Sequence, residues 1–521
     1  MTGPLLRLAI AALVIHAALI LPGVPQPAAG VLRAAPPELP LLLALLWLGG
    51  RIAQVAVTAG LALLVVQKLA SLAMYQALGR GFNPVADLTL IDASVRLIAG
   101  SFGRPAAVAA VAGAVLALIV IVALIWWAAG CWSRRAGLAP APAAGWLALA
   151  VAGLVAAGLA TGVWRADSGA YATERIAIAR RTLADLAQLR RDAATDPMAG
   201  RPDLLRGIDR DVIVVFVESY GRTSFRTPFY ADTHLATLGQ AQTALRDRGL
   251  AMRSGFLIAP TQGGQSWLSH ATFANGLWID DQSRYQAVLA SGRQTLFHHA
   301  RRAGFDTVAV MPAITRPWPE SAAMGFDRVL AAGDLGYRGQ PFNWVTMPDQ
   351  FTLTAIERLR AARVGNRRLF LQVALISSHA PWVPVPQMLP WERITDGAGF
   401  DAMATAGPTP EEVWRDLDRV RSQYRAAIDY SLRAVTEFAA RQGPDGPLLI
   451  VLGDHQAAPR IALDEGRDVP IHVIGPPALV ARAAAWGLSP GLIPPADAIP
   501  LPMDRMRDLI LDGFDAVGGR S

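Results

Sequence analysis

"DVIVVFVESYG", residues 211–221, runs six apolar and mostly β-branched residues, Val212 to Val217, straight into a carboxylate. The chain then turns at once through Ser219, Tyr220 and Gly221. An unbroken apolar run of this length reads as a strand buried on both faces. A carboxylate at the end of such a strand is costly to desolvate unless it meets a cation there. Glu218 is therefore a candidate ligand.

Working outward from that strand, the chain has further short apolar runs: "FDTVAVMP" (305–312), "RLFLQVALIS" (368–377), "PLLIVLGD" (447–454) and "VPIHVIG" (469–475). Between them lie stretches of helical periodicity, "TLFHHARRAG" (295–304), "DQFTLTAIERLRAARV" (349–364) and the long segment 411–443. This alternation predicts an α/β domain with a mostly parallel sheet sandwiched by helices. In such sheets the site lies beyond the carboxyl ends of the strands. Three strands end on polar groups: Glu218, then Ser377-Ser378-His379, then Asp454-His455. Hard carboxylate oxygens with a borderline imidazole nitrogen suit one divalent cation, zinc or manganese. His472, inside "VPIHVIG", reads as core or edge rather than ligand, and His298-His299 read as helix surface.

The segment "APTQGGQSWLSHATFANGLW" (259–278) adds a hydroxyl. Gly263-Gly264 permits a tight turn, and Ser266 opens the next helix. A hydroxyl there meets free backbone N–H groups that can hold an anion, and a nearby divalent cation would activate it as a nucleophile. His270, one helical turn on, and Trp267 are candidate substrate contacts. Thr261 is both a candidate contact and a rival nucleophile.

The N-terminal third is different in kind. The chain is 53% hydrophobic and 17% charged, too apolar for one soluble body of 521 residues, and the excess lies before about residue 165. Five apolar segments, Leu5–Leu21, Leu41–Leu48, Ile52–Ala70, Ala106–Ala129 and Ala144–Val163, are expected to span the bilayer. The second is short and is separated from the third by Gly49-Gly50-Arg51. Arg51, Arg134 and Arg135 mark the cytoplasmic side, whereas Arg80, Arg96 and Arg104 lie on the other, in the loop before the fourth segment, whose residues 85–102 suit an interfacial amphipathic helix. The expected organisation is a transmembrane domain at 1–164, a linker helix at 165–205 and an extracytoplasmic domain at 206–521. The first segment is read as an uncleaved anchor. The expected location is the cell inner (cytoplasmic) membrane, multi-pass, with the catalytic domain periplasmic or extracellular. Cys131 is the sole cysteine, so no intramolecular disulfide is available. The net charge of +7 comes without a basic run interleaved with aromatics, which argues against a nucleic-acid partner.

In this order the segments resemble the alkaline phosphatase/sulfatase superfamily, and within it the membrane-anchored branch of lipoteichoic acid synthases and lipid A phosphoethanolamine transferases. The resemblance rests on Glu218-Ser219, Ser266, His379 and Asp454-His455. It implies that Glu218, Asp454, His455 and Ser266 ligate one metal, that Ser266 is the nucleophile, and that His379 contacts the donor headgroup or protonates its leaving group. The named groups usually carry Thr where this chain offers Ser266. The implied activity is a metal-dependent phosphotransferase taking a headgroup, phosphoglycerol or phosphoethanolamine in type, from a membrane phospholipid donor to an envelope glycan or lipid acceptor. The alternatives are a hydrolase of the same superfamily, phosphodiesterase or sulfatase, and a catalytically silent membrane scaffold. "SWLSHAT" lacks the Pro and Arg of an ordinary sulfatase nucleophile motif, and the four expected ligands are intact.

Overall fold

The computed structural model describes residues 3–26, 36–78, 80–88, 90–134, 150–151, 153, 155–158 and 167–515. The chain divides into two compact units, residues 1–185 and 186–521.

In the first unit three helices are long and apolar enough to cross a membrane: Gly3–Ile20, one beginning at Glu38, and Arg104–Ser133. The two expected segments 41–48 and 52–70 form one 41-residue helix, Glu38–Leu78, interrupted by the non-helical Gly50. Leu41–Leu48 is too short to span alone, and the helix resumes beyond the glycine. The segment 144–163 lies for its greater part outside the described residues, so five expected spans become three candidates among the described residues. The amphipathic stretch is a helix, Leu90–Phe102. The three long helices meet through Ile15, Leu46, Val57, Leu61 and Ile125. The only lysine, Lys68, is buried and donates to the Leu19 carbonyl at the end of the first helix and to Ser168 Oγ. A cation there complements the negative end of the helix dipole. A further helix, Asp167–Ala194, carries the expected linker pattern.

The second unit is built on a nine-stranded sheet. Its strands are β1 (Val212–Val217), β2 (Ala251–Ile258), β3 (Asp306–Met311), β4 (Arg328–Ala331), β5 (Leu369–Leu375), β6 (Leu448–Gly453), β7 (Asp468–Gly475), β8 (Ser489–Pro490) and β9 (Leu501–Pro502). The order is β4-β3-β5-β1-β6-β7-β2-β8, with β9 beside β2. From β4 to β6 every pairing is parallel, but β6–β7, β7–β2 and β2–β8 are antiparallel. The sheet is therefore mixed, with five of its eight pairings parallel and three antiparallel. A parallel crossover must carry the chain back along the strand, usually on a helix. Residues 454–467 contain only the four-residue helix Pro459–Ala462, so β7 returns antiparallel from the edge where β6 ends.

β1 is buried along its whole length, and its side chains alternate between two cores. Ile213, Val215 and Val217 pack with Phe351, Tyr424, Ile428 and Phe438 on one face. Val212, Val214 and Phe216 pack with Phe273, Phe297, Leu479 and Met506 on the other. The long segment 411–443 is two helices, Pro410–Val413 and Leu417–Gln442, because Asp416 accepts from Asp418 N and Arg419 N and caps a new start. His299 is buried rather than on the surface, since Leu296 and Phe297 beside it are fully enclosed, and His298 closes the helix N-terminus on Thr295.

His472 sits in the middle of β7, enclosed, with Nδ1 at 2.7 Å from Ser254 Oγ and Nε2 at 3.1 Å from Tyr220 OH. Burial pushes its pKa down to about 3, against about 6.5 in an unfolded chain. Its stabilising contribution is thus fully present above about pH 6.5 and is lost as pH falls toward the folded value, by about 1.4 kcal/mol per pH unit. Thermal unfolding of the full chain from pH 7 to 5 should show a steep acid loss, and His472→Gln should make that slope shallower by one proton.

Candidate metal centre and nucleophile

β1 and β6 pair in parallel with Val217 opposite Gly453, so the next residues, Glu218 and Asp454, emerge side by side. The turn after β1 folds back over β6. Ser219 adopts a left-handed φ of 58°, and its N–H donates to Asp454 Oδ1 at 2.8 Å. Gly453 is required beneath that turn, because a Cβ there would lie 1.9 Å from the Tyr220 carbonyl oxygen. Tyr424 OH donates to the Ser219 carbonyl and Ser378 Oγ to the Glu218 carbonyl, which secures the turn from two further elements.

The Gly-rich segment brings the hydroxyl. Gly263, Gly264 and Gln265 all have positive φ, at 76°, 146° and 66°, and the helix Ser266–Asn275 begins immediately after them. Gly263 N–H donates to the Gln456 carbonyl, tying this loop to the residues after β6. Ser266 Oγ consequently lies 2.9 Å from Glu218 Oε2 and 3.3 Å from His455 Nε2. His455 Nε2 is also 3.2 Å from Glu218 Oε1 and 3.9 Å from Asp454 Oδ1. Its Nδ1 faces the Gln456 carbonyl at 3.1 Å, a donor position that turns Nε2 toward the cluster.

Glu218, Asp454 and His455 are buried, with one ligand atom from each within 4.8 Å of the others. Among the described residues neither carboxylate has an arginine or lysine partner, and the only ion-pair partner of both is His455. Burial and the neighbouring Glu218 charge push Asp454 above the usual carboxylate range. Burial opposes charge on Glu218 too, but His455 and His379 outweigh it and hold Glu218 low. Burial would likewise depress His455, yet Asp454 and Glu218 raise it to about 9. All three directions have one cause: two enclosed carboxylates create a demand for positive charge. A donor set of two carboxylates, an imidazole and a hydroxyl fits a divalent cation in composition and charge.

The other expected residues fall in different places. His379 is half-buried, with Nδ1 at 2.6 Å from the Ala380 carbonyl and its ring stacked on Trp344 at 4.3 Å. His270 packs its ring on Phe216 at 4.1 Å, and burial lowers its pKa to about 4. Thr261 is buried but its hydroxyl makes no hydrogen bond to the cluster. Trp267 is exposed and donates to Gln282.

Several residues escaped the sequence reading. Gln265 starts the helix without capping it by its side chain. Its Nε2, Thr261 Oγ1 and His270 Nε2 are three buried polar atoms without a partner, all within ten residues of chain around Ser266. Buried polar atoms are rarely left so, and a polar ligand beside Ser266 would satisfy them. Asp349 holds the loop that delivers Ser378 and His379: its carboxylate accepts from Ile376 N (2.8 Å), Ser377 N (2.9 Å) and Ser431 Oγ (2.6 Å). The sequence hint was an acid opening the first half of a helix, Asp349–Ala361, whose first six residues are all buried. Asp349→Ala leaves three buried donors unpaired and is expected to cost about 2–4 kcal/mol, read as a lowered thermal unfolding midpoint.

The sulfatase family model matches residues 210–467. No curated protein matches the chain by sequence. Among solved structures, the lipooligosaccharide phosphoethanolamine transferase A of Neisseria meningitidis is similar at 15% identity, over 87% of this chain and 84% of that one, with a TM-score of 0.44. The lipoteichoic acid synthase LtaP of Listeria monocytogenes is 14% identical over 56% of this chain and 71% of that one, TM-score 0.35. The phosphoglycerol transferase GacH of Streptococcus pyogenes, solved with sn-glycerol-1-phosphate, is 16% identical over 56% and 74%, TM-score 0.37. At such scores these likenesses carry no weight for residue roles or substrate.

Proposed function

Because this chain belongs to the alkaline phosphatase/sulfatase superfamily and carries a sulfatase-like enzyme domain, we propose that it is a membrane-anchored phosphotransferase working through Ser266. It takes a phospholipid headgroup, of phosphoglycerol or phosphoethanolamine type, and passes it to an envelope glycan or lipid outside the cytoplasm. The observation that carries this reading is the position of Ser266 Oγ, within 3.3 Å of both Glu218 and His455 at the opening of a helix.

Glu218, Asp454, His455 and Ser266 would hold one divalent cation, zinc or manganese, which when bound lowers the pKa of a coordinated hydroxyl and offsets phosphoryl charge. Ser266 Oγ gives up its proton to solvent water and bonds to the phosphorus of the donor diester. The bond from phosphorus to the diacylglycerol oxygen breaks, and His379 supplies the proton that oxygen takes up. Backbone N–H groups at the start of the helix Ser266–Asn275, with Gln265 Nε2, His270 Nε2 and the Thr261 hydroxyl, hold phosphoryl and headgroup oxygens. In the second half an acceptor hydroxyl attacks the same phosphorus and its proton restores His379, while the bond from phosphorus to Ser266 Oγ breaks and that oxygen takes a proton back from solvent water. The transmembrane domain (1–164) and linker (165–205) anchor the catalytic domain (206–521) in a multi-pass arrangement in the cytoplasmic membrane, which keeps its lipid donor at high effective concentration.

The test is to incubate the full-length protein with phospholipid vesicles, follow diacylglycerol release and weigh the intact protein. A mass increment equal to one phosphoryl headgroup, mapped to Ser266, is the expected result. Free headgroup phosphate with no transfer to any added glycan or lipid would overturn the transferase reading in favour of hydrolysis.

A further inference from the structure

The exposed large apolar side chains of residues 186–515 are distributed unevenly. All three of the exposed tryptophans there, Trp267, Trp344 and Trp414, lie at the sheet edge that carries Glu218 and Asp454. Trp267 comes directly after Ser266, Trp344 stacks on His379, and Trp414 donates to the Pro381 carbonyl just beyond β5 and stacks on Trp382 at 5.8 Å. Leu463, in the loop from β6 to β7, and Ile499, just before β9, are exposed at the same edge, Ile499 by 87%. The Ile499 loop is placed there by Arg222, which donates to the Ala496 and Ala498 carbonyls. At the opposite edge, where Arg363 pairs with Asp211 at the start of β1, Val364 stands exposed.

An apolar rim around a polar centre marks an interaction surface, and its composition selects the partner. Tryptophan, with an apolar body and a polar N–H, concentrates where hydrocarbon meets water. The Arg460 guanidinium lies 5.9 Å from the Trp414 ring centroid, so a cation that can pair with lipid phosphate accompanies the aromatic. The same chain carries three helices able to cross a membrane, so a bilayer surface is always within tether range. We propose that this rim docks into the bilayer interface, Trp267, Trp344, Trp414, Leu463 and Ile499 entering the headgroup layer, so that the Ser266 centre opens onto the lipid surface rather than into bulk water. This goes beyond the phosphotransferase reading and does not need it, because the docking holds for any substrate drawn from the interface.

The test uses the full chain in phospholipid vesicles. In a Cys131→Ser background, Ile499→Cys, Leu463→Cys and Val364→Cys each receive an environment-sensitive nitrobenzoxadiazole label. Quenching by lipids bearing a headgroup-region nitroxide is expected to be several-fold stronger at 499 and 463 than at 364, with iodide in the water giving the reverse order. Two rim positions guard against one misfolded variant, and hydrolysis of a soluble aryl phosphodiester reports folding independently. Equal quenching at all three positions overturns the proposal. So does concentration-dependent protection of 499 in detergent without a bilayer, which would make the rim a contact between copies. If 499 and 463 are quenched by lipid while no headgroup adduct forms on Ser266, the docking stands and the transferase reading falls.

Discussion

Asp454→Ala is expected to strip the divalent metal from the full-length protein and to lower phosphodiester turnover by about 10³-fold or more, the loss of about 4 kcal/mol of transition-state stabilisation. The carboxylate does two things at once. It contributes negative charge to the buried cluster with Glu218 and His455, and it accepts from Ser219 N and His455 N, holding both flanking ligands in register. Asp454→Asn keeps an acceptor for those N–H groups but removes the charge, so it separates the two effects. Metal content by elemental analysis should fall in both variants, while the thermal midpoint falls in the alanine variant alone. Equimolar metal retained by Asp454→Ala would sink the metal-centre reading. Glu218→Ala should behave alike, since Glu218 is the partner of both Ser266 and His455.

Ser266→Ala is expected to abolish the covalent adduct and to reduce turnover by about 10³-fold or more, because no other hydroxyl hydrogen-bonds both Glu218 and His455 among the described residues. Three protein donors remain, so its metal content should fall less than in Asp454→Ala. Thr261→Ala is the discriminating companion. Thr261 Oγ1 is buried without a partner, so its loss should weaken substrate binding and leave the adduct on Ser266. An adduct that persists in Ser266→Ala and disappears in Thr261→Ala would transfer the nucleophile to Thr261.

Much of the centre was legible because its residues stand at the ends of strands. "VIVVFV" and "LLIVLG" are local period patterns, and the residues next after them, Glu218 and Asp454-His455, had to leave the sheet at the same edge if the strands were parallel. The Gly263-Gly264 pair before Ser266 was readable for a similar reason, as a positive φ is written into the residue type. β2 was missed because Arg253, Ser254 and Gly255 interrupt its apolar pattern. It is a strand through its pairing along β7 and its contacts with β8 and β9, not through its own residues. Asp349 was missed for a different reason. A buried acid is recognisable only from the N–H and O–H groups aimed at it, and those come from residues 376, 377 and 431.

By itself, then, the amino-acid order determined an apolar N-terminal third, the strands on either side of the centre, and which acids, imidazoles and hydroxyl lie at their ends. Each is a property of a few consecutive residues: burial periodicity, chain length against bilayer thickness, and turn chemistry. Tertiary structure alone decided that β7 turns back beside β6 and makes three of the eight strand pairings antiparallel, that Gly50 joins two apolar segments into one kinked helix, and that tryptophans at positions 267, 344 and 414 stand exposed. These depend on contacts between residues far apart in the chain, whose free energy belongs to the pair and is written in neither partner.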